Sequence, residues 1–578
     1  MRRTMRDGPI GEQVDSLNAT IMYPLFRSAL AGLLLLSAGC ASAVSSNPVT
    51  LAVVNGRVWT GDARRPWAEA VAIAGDRIVA VGSSAEVRKL VGSEARVVDA
   101  GGRMVAPGFF DAHLHFVDGG HTLASVQLRD AATPAEFVAR IRSFAGSLPA
   151  GTWILGGNWD HENWGGELPT RAWIDSITPN NPVWINRLDG HMALANGIAL
   201  AAAGVTSATQ DIEGGVIERT TAGEPTGILK DNAKSLVSRV VPPVQPEIDD
   251  RALDVAMSYV AALGITSVAN MGDWGDVEVF RRAHETGRLR TRIYAAVPLS
   301  SWERLRDEVT ARGRGDNWLR IGGLKAYVDG SLGSRTAAML EPYDDAPGET
   351  GVLVTRRDSL YRWTHAADAA GLHVMVHAIG DRANRIQLDV FEQVARENGA
   401  RDRRFRIEHA QHLNVADVPR FARLGVIASM QPYHAIDDGR WAGRRVGSDR
   451  IGEAYVFRSL LDSGARLAFG SDWDVEPATP LGGIYAAVTR RTLDNLNPGG
   501  WVPEQKITVE EALRAYTIDA AYAEFSEREK GSLEVGKLAD LVLLDRDITR
   551  VPAETIRDTR VLLTVVGGRV VHEAQPRD

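Results

Sequence analysis

The sequence predicts an α/β fold: a parallel (β/α)8 barrel joined to a small β domain built from both ends of the chain. In the middle of the chain, short apolar segments typical of buried strands alternate with amphipathic segments typical of helices. Eight such strands can be counted, which is the number that closes a parallel barrel. Both chain ends are rich in strand-forming residues interrupted by glycine and asparagine. A long segment after the first barrel strand lacks this alternation, which predicts an insertion.

The eight predicted barrel strands begin with the apolar segment Val105–Phe116. The other seven are Ile265–Met271, Thr291–Pro298, Leu319–Asp329, Leu372–Ile379, Phe405–Ala410, Val426–Gln431 and Leu467–Ser471. Helices are predicted between them, among others over Asp358–Ala370, Asp381–Asn398 and Ala416–Leu424. Gly371 and Gly399 fall where the end of a helix favours a left-handed residue.

The small β domain is expected to combine residues 47–103 with residues 531–578, and the barrel to occupy residues 104–530. Asn55-Gly56 favours a two-residue hairpin turn. Segments 55–58 and 567–570 have similar sequences, which predicts matching hairpins at the two ends.

The insertion is expected over about residues 117–250, where it would cover the mouth of the barrel. An irregular surface excursion is the alternative. The segment contains five tryptophans, which favour packing against other groups, including a substrate: Trp153, Trp159, Trp164, Trp173 and Trp184.

Composition narrows the class of protein. The chain has 578 residues, is 44% hydrophobic and 24% charged, and carries a net charge of -8. These values are ordinary for a globular protein with a sizeable core. No basic stripe with interleaved aromatic residues occurs, so we expect no nucleic-acid partner. The single cysteine, Cys40, excludes a disulfide framework.

Residues 1–46 are typical of an export signal followed by a short linker. After Met22 and Arg27, the apolar run 29–38 is too short to span a bilayer. Leu36–Cys40 resembles a bacterial lipobox, in which a lipid on Cys40 would anchor the mature protein to a membrane. The alternative is ordinary signal-peptidase cleavage near Ala41 or Ala43. The expected location is therefore the periplasm or a membrane surface.

Histidines and one aspartate stand at the ends of four predicted strands. His113 and His115 are two residues apart and share one face of the first strand. His377 and His409 end strands about one β-α unit apart, and Asp472 follows the eighth strand. Singly, these residues are also compatible with surface histidines and a turn aspartate. Together, imidazoles and a carboxylate suit zinc or a similar divalent ion, which would activate water for attack on a carbonyl.

Lys325 lies in the middle of an otherwise apolar predicted strand. Burial lowers the pKa of a lysine, and a neutral amine can react with carbon dioxide to form an anionic carbamate ligand. Two metal ions are expected if Lys325 is carboxylated, and one if it is not. An ion pair between Lys325 and Asp329, or another carboxylate, is the alternative.

In combination, these segments resemble the amidohydrolase superfamily, in particular the YtcJ-like branch of amidohydrolase family 3 that includes N-substituted formamide deformylase. The segments that carry the resemblance are 107–115, 325–334, 377–383, 406–411, 470–472 and 531–543. The resemblance implies a TIM-like metal-dependent hydrolase barrel with a composite β-sandwich. It implies metal ligands at His113, His115, His377, His409 and Asp472, with Lys325 as a carboxylated bridge. Trp473 and Asp474 depart from the residues that many relatives carry at those positions.

We therefore expect hydrolysis of a non-peptide, amide-type carbon–nitrogen bond in a small molecule, with Asp472 moving the proton. The alternative enzyme function is deamination, or hydrolysis of a cyclic imide, an ester or a lactone, on the same metal centre. An alternative of another class is a catalytically inactive binding lipoprotein. Candidate substrate contacts are Trp159, His191, His434 and Trp473. The sequence leaves the oligomeric state open.

Overall fold

The computed structural model describes residues 48–575, and the predicted export signal with Cys40 lies outside them. The centre is an eight-stranded parallel sheet in which neighbours along the chain are also neighbours in space. This order is that of a (β/α)8 barrel, so the predicted fold class is confirmed. The strands are Phe109–Leu114, Ile265–Met271, Arg292–Pro298, Leu319–Tyr327, His373–Ala378, Arg406–His409, Ile427–Met430 and Arg466–Phe469.

The first and last barrel strands meet just beyond their ends. The Asp472 amide donates to the carbonyl of His113 at 2.7 Å, and the His115 amide donates to the carbonyl of Trp473. Gly470 permits this approach, because an added Cβ would lie 2.5 Å from the His113 amide. The contact brings the residue after the eighth strand beside the two histidines of the first.

The predicted strand Val105–Phe116 is two strands in the structure. Met104–Pro107 pairs with strands of the outer β domain, whereas Phe109–Leu114 belongs to the barrel. The break falls at Gly108, where an added Cβ would lie 2.2 Å from the side chain of Thr266. Close packing at this corner therefore separates one apolar run into two elements.

The outer β domain consists of two sheets. One contains, in spatial order, Arg77–Gly82, Ala70–Ala74, Leu51–Val54 and Arg96–Asp99. The other contains Arg569–Glu573, Val561–Val566, Leu541–Leu544, Met104–Pro107, Arg57–Trp59 and Trp67–Ala68. Apolar residues from both chain ends, such as Val53, Val71, Leu541 and Val565, share one core. The domain is therefore a composite β-sandwich.

Only one of the two predicted hairpins forms. Val561–Val566 and Arg569–Glu573 pair antiparallel across Gly567 and Gly568. The prediction at Asn55-Gly56 is wrong, because the strands on either side of it belong to different sheets. Asn55 adopts φ 55°, and the chain passes there from one sheet to the other. Asparagine and glycine suit any left-handed bend, so their presence does not by itself specify pairing.

The segment after the first barrel strand forms a sheet of its own. Its strands are, in spatial order, Gly215–Arg219, Pro225–Asp231, Met192–Ala195, Val183–Arg187 and Ile154–Trp159. One apolar cluster joins this sheet to the helix Pro134–Gly146 through Phe137, Ile154 and Ile185. A second cluster joins it to the helices Gly197–Ala203 and Ser235–Ser238. The insertion is thus a folded layer, and the interpretation as an irregular excursion is wrong.

Helices connect the barrel strands and end close to where the sequence predicts. Arg357–Ala369 and Asp381–Glu397 are followed by Gly371 at φ 76° and Gly399 at φ 78°, as expected for left-handed helix ends. The other α-helices are Ser84–Arg88, Phe116–Thr122, Arg171–Ile174, Pro246–Ala262, Trp274–Glu285, Trp302–Arg312, Val418–Leu424, Pro432–Asp438, Ala442–Arg450, Phe457–Asp462, Pro480–Thr489, Val509–Ala515 and Ile518–Ala523. Short 3-10 helices are His161–Trp164, Asp175–Ile177, Asn232–Lys234, Leu299–Ser301, Ile451–Glu453, Pro503–Gln505 and Ala553–Asp558. Within residues 48–575, every helix is too short or too polar to cross a bilayer.

Candidate metal centre

The ligand-type side chains predicted from the sequence meet at the carboxyl ends of the barrel strands. His113 and His377 are the penultimate residues of their strands, and His409 is the last residue of its strand. Asp472 follows the eighth strand, and Lys325 lies near the end of the fourth. Each of these five is at most 6% exposed, whereas the His115 side chain is 23% exposed. This edge is where active sites of such barrels lie.

Asp472 is the residue around which the first group of ligands converges. Its Oδ1 lies 3.3 Å from Nε2 of both His113 and His115. This oxygen is buried and has no hydrogen-bond partner among the described residues. In a tetrahedral zinc site with bonds of about 2.0–2.1 Å, neighbouring ligand atoms are about 3.3 Å apart. Both distances from Asp472 Oδ1 match this spacing, and the three residues could hold a divalent ion.

A second group lies on the other side of the same carboxylate. Asp472 Oδ2 is 3.9 Å from His409 Nδ1 and 3.8 Å from His434 Nε2. These three residues form a second set whose ligand atoms lie within 4.8 Å of one another. His434, predicted from the sequence as a substrate contact, thus lies with the ligand-type residues. A carboxylate shared by two sets of ligands is suited to bridging two ions.

His377 lies beside this second group and outside both sets. Its Nε2 is 3.0 Å from the carbonyl of Gly330, and its ring centroid is 4.5 Å from that of His409. The ring centroid of His191 lies 4.9 Å from that of His377. Asp231 Oδ1 lies 2.7 Å from His191 Nδ1 and orients this ring. The structure therefore brings both predicted residues to the centre, with His377 oriented by a backbone carbonyl.

Most imidazoles at the centre are electrically neutral at pH 7, the form that binds metals. Burial, together with the ammonium group of Lys325, lowers the pKa of His113 to about 4. Burial and the neighbouring imidazoles hold the pKa values of His377 and His409 well below the usual value. His115 differs: burial opposes its protonation, but the neighbouring Asp472 carboxylate outweighs burial and raises the pKa of His115.

The backbone at two of these residues has the left-handed conformation. His409 has φ 73° and Asp472 has φ 59°. Residues other than glycine adopt this region at a cost of about 1–3 kcal/mol, and such residues cluster at functional sites. This feature has no local sequence signature, because both positions look like ordinary strand ends.

A buried Arg406–Glu408 pair orients His113, a role that the sequence does not predict. Glu408 Oε2 accepts from His113 Nδ1 at 2.6 Å, which turns Nε2 toward Asp472. Arg406 donates to both Glu408 oxygens, at 2.7 and 2.9 Å, and both side chains are fully buried. Burial would raise the pKa of Glu408, but Arg406 and His113 hold it below its usual range. The sequence signal for this pair was the presence of two charged residues on one face of a predicted buried strand.

We expect Glu408→Gln to weaken metal binding about 10–100-fold, because partners that orient a metal-ligating histidine typically contribute this much. The amide keeps the size of the side chain but loses the charge that fixes the His113 tautomer. The affinity is measured by competition with a chromophoric chelator. Glu397→Gln, at a glutamate that pairs with Tyr361 on an outer helix, is the control and should leave metal affinity unchanged. Equal affinity in both variants would contradict this role.

Lys325 points into the centre and has no ion-pair partner among the described residues. Its Nζ lies 3.3 Å from His113 Nε2. Burial lowers the pKa of Lys325 to about 8, so a substantial fraction is neutral near pH 8. The alternative pairing with Asp329 is wrong, because that carboxylate accepts the backbone amides of Ala338, Ile379 and Gly380 instead.

A cavity of about 1150 Å³ opens onto the centre and is lined by residues of the barrel and of the insertion. His191 and His434 line this cavity. Trp159 does not: it is fully buried in the insertion core, and its Nε1 donates to the carbonyl of Ile185. Trp473 packs behind the cavity wall against Phe116 and Tyr259. Neither of the two predicted tryptophans lines this cavity.

The fold and these residues together define a barrel hydrolase whose histidines and carboxylate can hold a divalent ion. Residues 96–572 match the profile of the amidohydrolase family. The chain belongs to this family, as the sequence resemblance predicts.

Three comparisons place the chain within the family. It is 41% identical to the protein LONG AFTER FAR-RED 3 of Arabidopsis thaliana, over 90% of this chain and 91% of that protein. It is 31% identical to N-substituted formamide deformylase of Arthrobacter pascens, over 90% and 98% of the two chains. The crystal structure of an uncharacterized metal-dependent hydrolase from Pyrococcus horikoshii superposes with a TM-score of 0.72 at 31% identity, covering 87% of this chain and 99% of that one.

Proposed function

We propose that the protein is a metal-dependent hydrolase that cleaves a carbon–nitrogen bond of a small, non-peptide amide. The observation that carries the proposal is the buried Asp472 Oδ1, 3.3 Å from two imidazole nitrogens and without a hydrogen-bond partner in the described part of the chain. A carboxylate oxygen placed between two imidazole nitrogens in this way favours a bound cation. The similarity to a formamide deformylase supports an amide as the substrate.

Zinc is the ion that the donor set favours, because imidazole and carboxylate ligands at tetrahedral spacing suit it. His113, His115 and Asp472 would hold one ion, and His377, His409 or His434 would complete a second. Such an ion supplies Lewis acidity and lowers the pKa of water, the chemistry that hydrolysis of an amide requires.

Asp472 is the residue we assign to proton transfer. Burial works to raise its pKa, but the surrounding imidazoles hold it well below the usual value, so the carboxylate is ionised and can accept a proton. The leaving nitrogen of an amide must gain a proton before it departs as an amine. A carboxylate beside both water and the leaving group can take the proton from one and give it to the other.

We further propose that Lys325 carries carbon dioxide. The neutral Nζ attacks the carbon of carbon dioxide, one proton leaves the nitrogen, and the product is a carbamate with one negative charge. Its two oxygens would extend the lysine toward both sets of histidines. The lowered pKa of Lys325 and its position 3.3 Å from His113 support this assignment.

The proposed function is tested with a panel of N-substituted formamides, N-acyl amino acids, esters and lactones, each assayed with and without added zinc. We expect turnover of at least one amide and weaker or no turnover of the esters and lactones. Metal-loaded protein that binds amides without turnover would support a binding protein instead. Turnover restricted to esters or lactones would exclude the assignment to carbon–nitrogen bonds.

We also propose that the protein is exported and anchored through a lipid on Cys40. The support is the sequence of residues 22–40, which lie outside the described part of the structure. Cys40→Ser is expected to release the protein from the membrane fraction into the soluble periplasmic fraction, as measured by fractionation of the expressing bacterium. Ala43→Ser, a similar change outside the lipobox, should leave the distribution unchanged. Unprocessed protein in the cytoplasm would contradict export.

A further inference from the structure

The cavity above the metal centre continues into an arm built from the insertion. The strand Val183–Arg187 and the loop after it contribute Trp184, Asn186 and Leu188 to the cavity wall. Three residues after Leu188 comes His191, whose ring lies 4.9 Å from that of His377. Trp184 precedes His191 by seven residues in the chain, so this part of the cavity wall extends over several residues of the insertion. With a volume of about 1150 Å³, the cavity has room for a substituent beside an amide group at the centre.

The outer end of this arm is apolar. Leu155 is the register partner of Trp184 on the neighbouring strand, so both side chains emerge from the same face of the sheet. Trp153 and Val241 pack into the same apolar cluster as Trp184, and both line the cavity. The Trp184 Nε1 donates to Ser238 Oγ at 3.3 Å, which fixes the indole against the helix Ser235–Ser238.

The two ends of the cavity thus differ in chemistry. The barrel side carries most of the histidines, Lys325 and Asp472, whereas the insertion contributes two indoles and aliphatic side chains beside polar residues such as Asn186. Specific ligand pockets combine a few convergent polar groups with an apolar wall in this way. A formyl group alone would leave the apolar end in contact with water.

We propose that the arm formed by Trp153, Leu155, Trp184 and Val241 binds an apolar alkyl or aryl substituent of the amide substrate. The inference rests on the proposed function for the position of the scissile bond, at the metal centre. The insertion then acts as the specificity element, because it selects amides whose substituent is apolar and long enough to contact these side chains.

The test uses ketones, which resemble amides but have no leaving nitrogen, so binding is measured without turnover. Isothermal titration of the metal-loaded protein compares 2-octanone with 2-butanone. Each methylene that becomes fully buried strengthens binding by about fourfold, so the longer ketone should bind at least about tenfold more tightly. Its binding should also show a more negative heat-capacity change. Equal affinities would overturn the proposal.

Two variants locate the effect. Val241→Asp places a carboxylate in the arm and is expected to abolish the preference for 2-octanone. Val244→Asp changes a cavity-lining residue that is already 43% exposed, so we expect it to keep the fold and to weaken the preference. Val255→Asp is the matched control, 48% exposed on the helix Pro246–Ala262 and outside the cavity lining. If the preference for 2-octanone survives in both Val241→Asp and Val244→Asp, or is lost in Val255→Asp, the proposal is contradicted.

Failure of this inference is distinguishable from failure of the proposed function. If short formamides are hydrolysed and chain length has no effect on ketone binding, the function stands and the arm is not a substrate site. If 2-octanone binds preferentially and no amide is hydrolysed, the arm stands and the assignment to amide hydrolysis fails.

Discussion

Replacing Asp472 with asparagine is expected to lower kcat by about a hundred- to ten-thousand-fold, the usual contribution of positioned acid–base catalysis. The amide has nearly the same size and keeps one oxygen near His113 and His115, so the fold and part of the metal content should persist. It cannot accept the proton from water or deliver it to the leaving nitrogen. Steady-state kinetics on the best amide of the panel, with metal content measured on the same sample, gives the effect.

Asp273→Asn provides a matched control. Asp273 lines the same cavity and caps the helix Trp274–Glu285 by accepting the amides of Gly275 and Asp276. Asparagine caps helices about as well as aspartate, so turnover should remain close to that of the unmodified protein. Near-normal kcat in Asp472→Asn would remove Asp472 from proton transfer. Glu408 or His434 would then be the residue to test.

Lys325→Ala is expected to lose most of its turnover and to bind fewer metal ions. Loss of a group that only orients a ligand already costs about 10–100-fold, and loss of a bridging ligand should cost more. Short carboxylates such as propionate can enter the space left by the side chain and replace the carbamate oxygens. We therefore expect partial recovery of turnover with propionate and none with the same concentration of chloride.

Lys234→Ala is the control for metal content, because Lys234 lines the same cavity but donates to the carbonyl of Gly190 in the insertion. It should retain the full number of ions. Fully active unmodified protein with one ion per chain would contradict the two-ion arrangement. Lys325 would then act as a charge beside His113 and Asp472.

The barrel could be predicted from the sequence because its strands are local patterns. Each apolar segment between glycines or helices marks a strand, and eight of them in alternation with helices leave few other arrangements. His377, His409 and Asp472 could be placed at one edge for the same reason, since residues at the ends of parallel strands meet there. The contact between Asp472 and the first strand follows from closure of the barrel.

Contacts between distant segments could not be predicted in this way. The sequence predicts Trp159 as a substrate contact because five tryptophans in the insertion favour packing against other groups, including a substrate. In the structure Trp159 packs in the insertion core, whereas its neighbours Asn158 and Asp160 line the cavity. Asn55-Gly56 is a typical hairpin-turn sequence, but the strands before and after it belong to different sheets. The bond between Glu408 and His113 joins residues 295 positions apart, which no local pattern encodes.

The central claim is that hydrolysis of a carbon–nitrogen bond depends on a divalent ion held by His113, His115 and Asp472. The most direct measurement is elemental analysis of the purified protein combined with amide turnover before chelation, after chelation and after stoichiometric addition of zinc. We predict one or two ions per chain, loss of turnover on chelation, and recovery in proportion to the zinc restored. Full amide turnover in protein that contains no divalent ion would contradict the account.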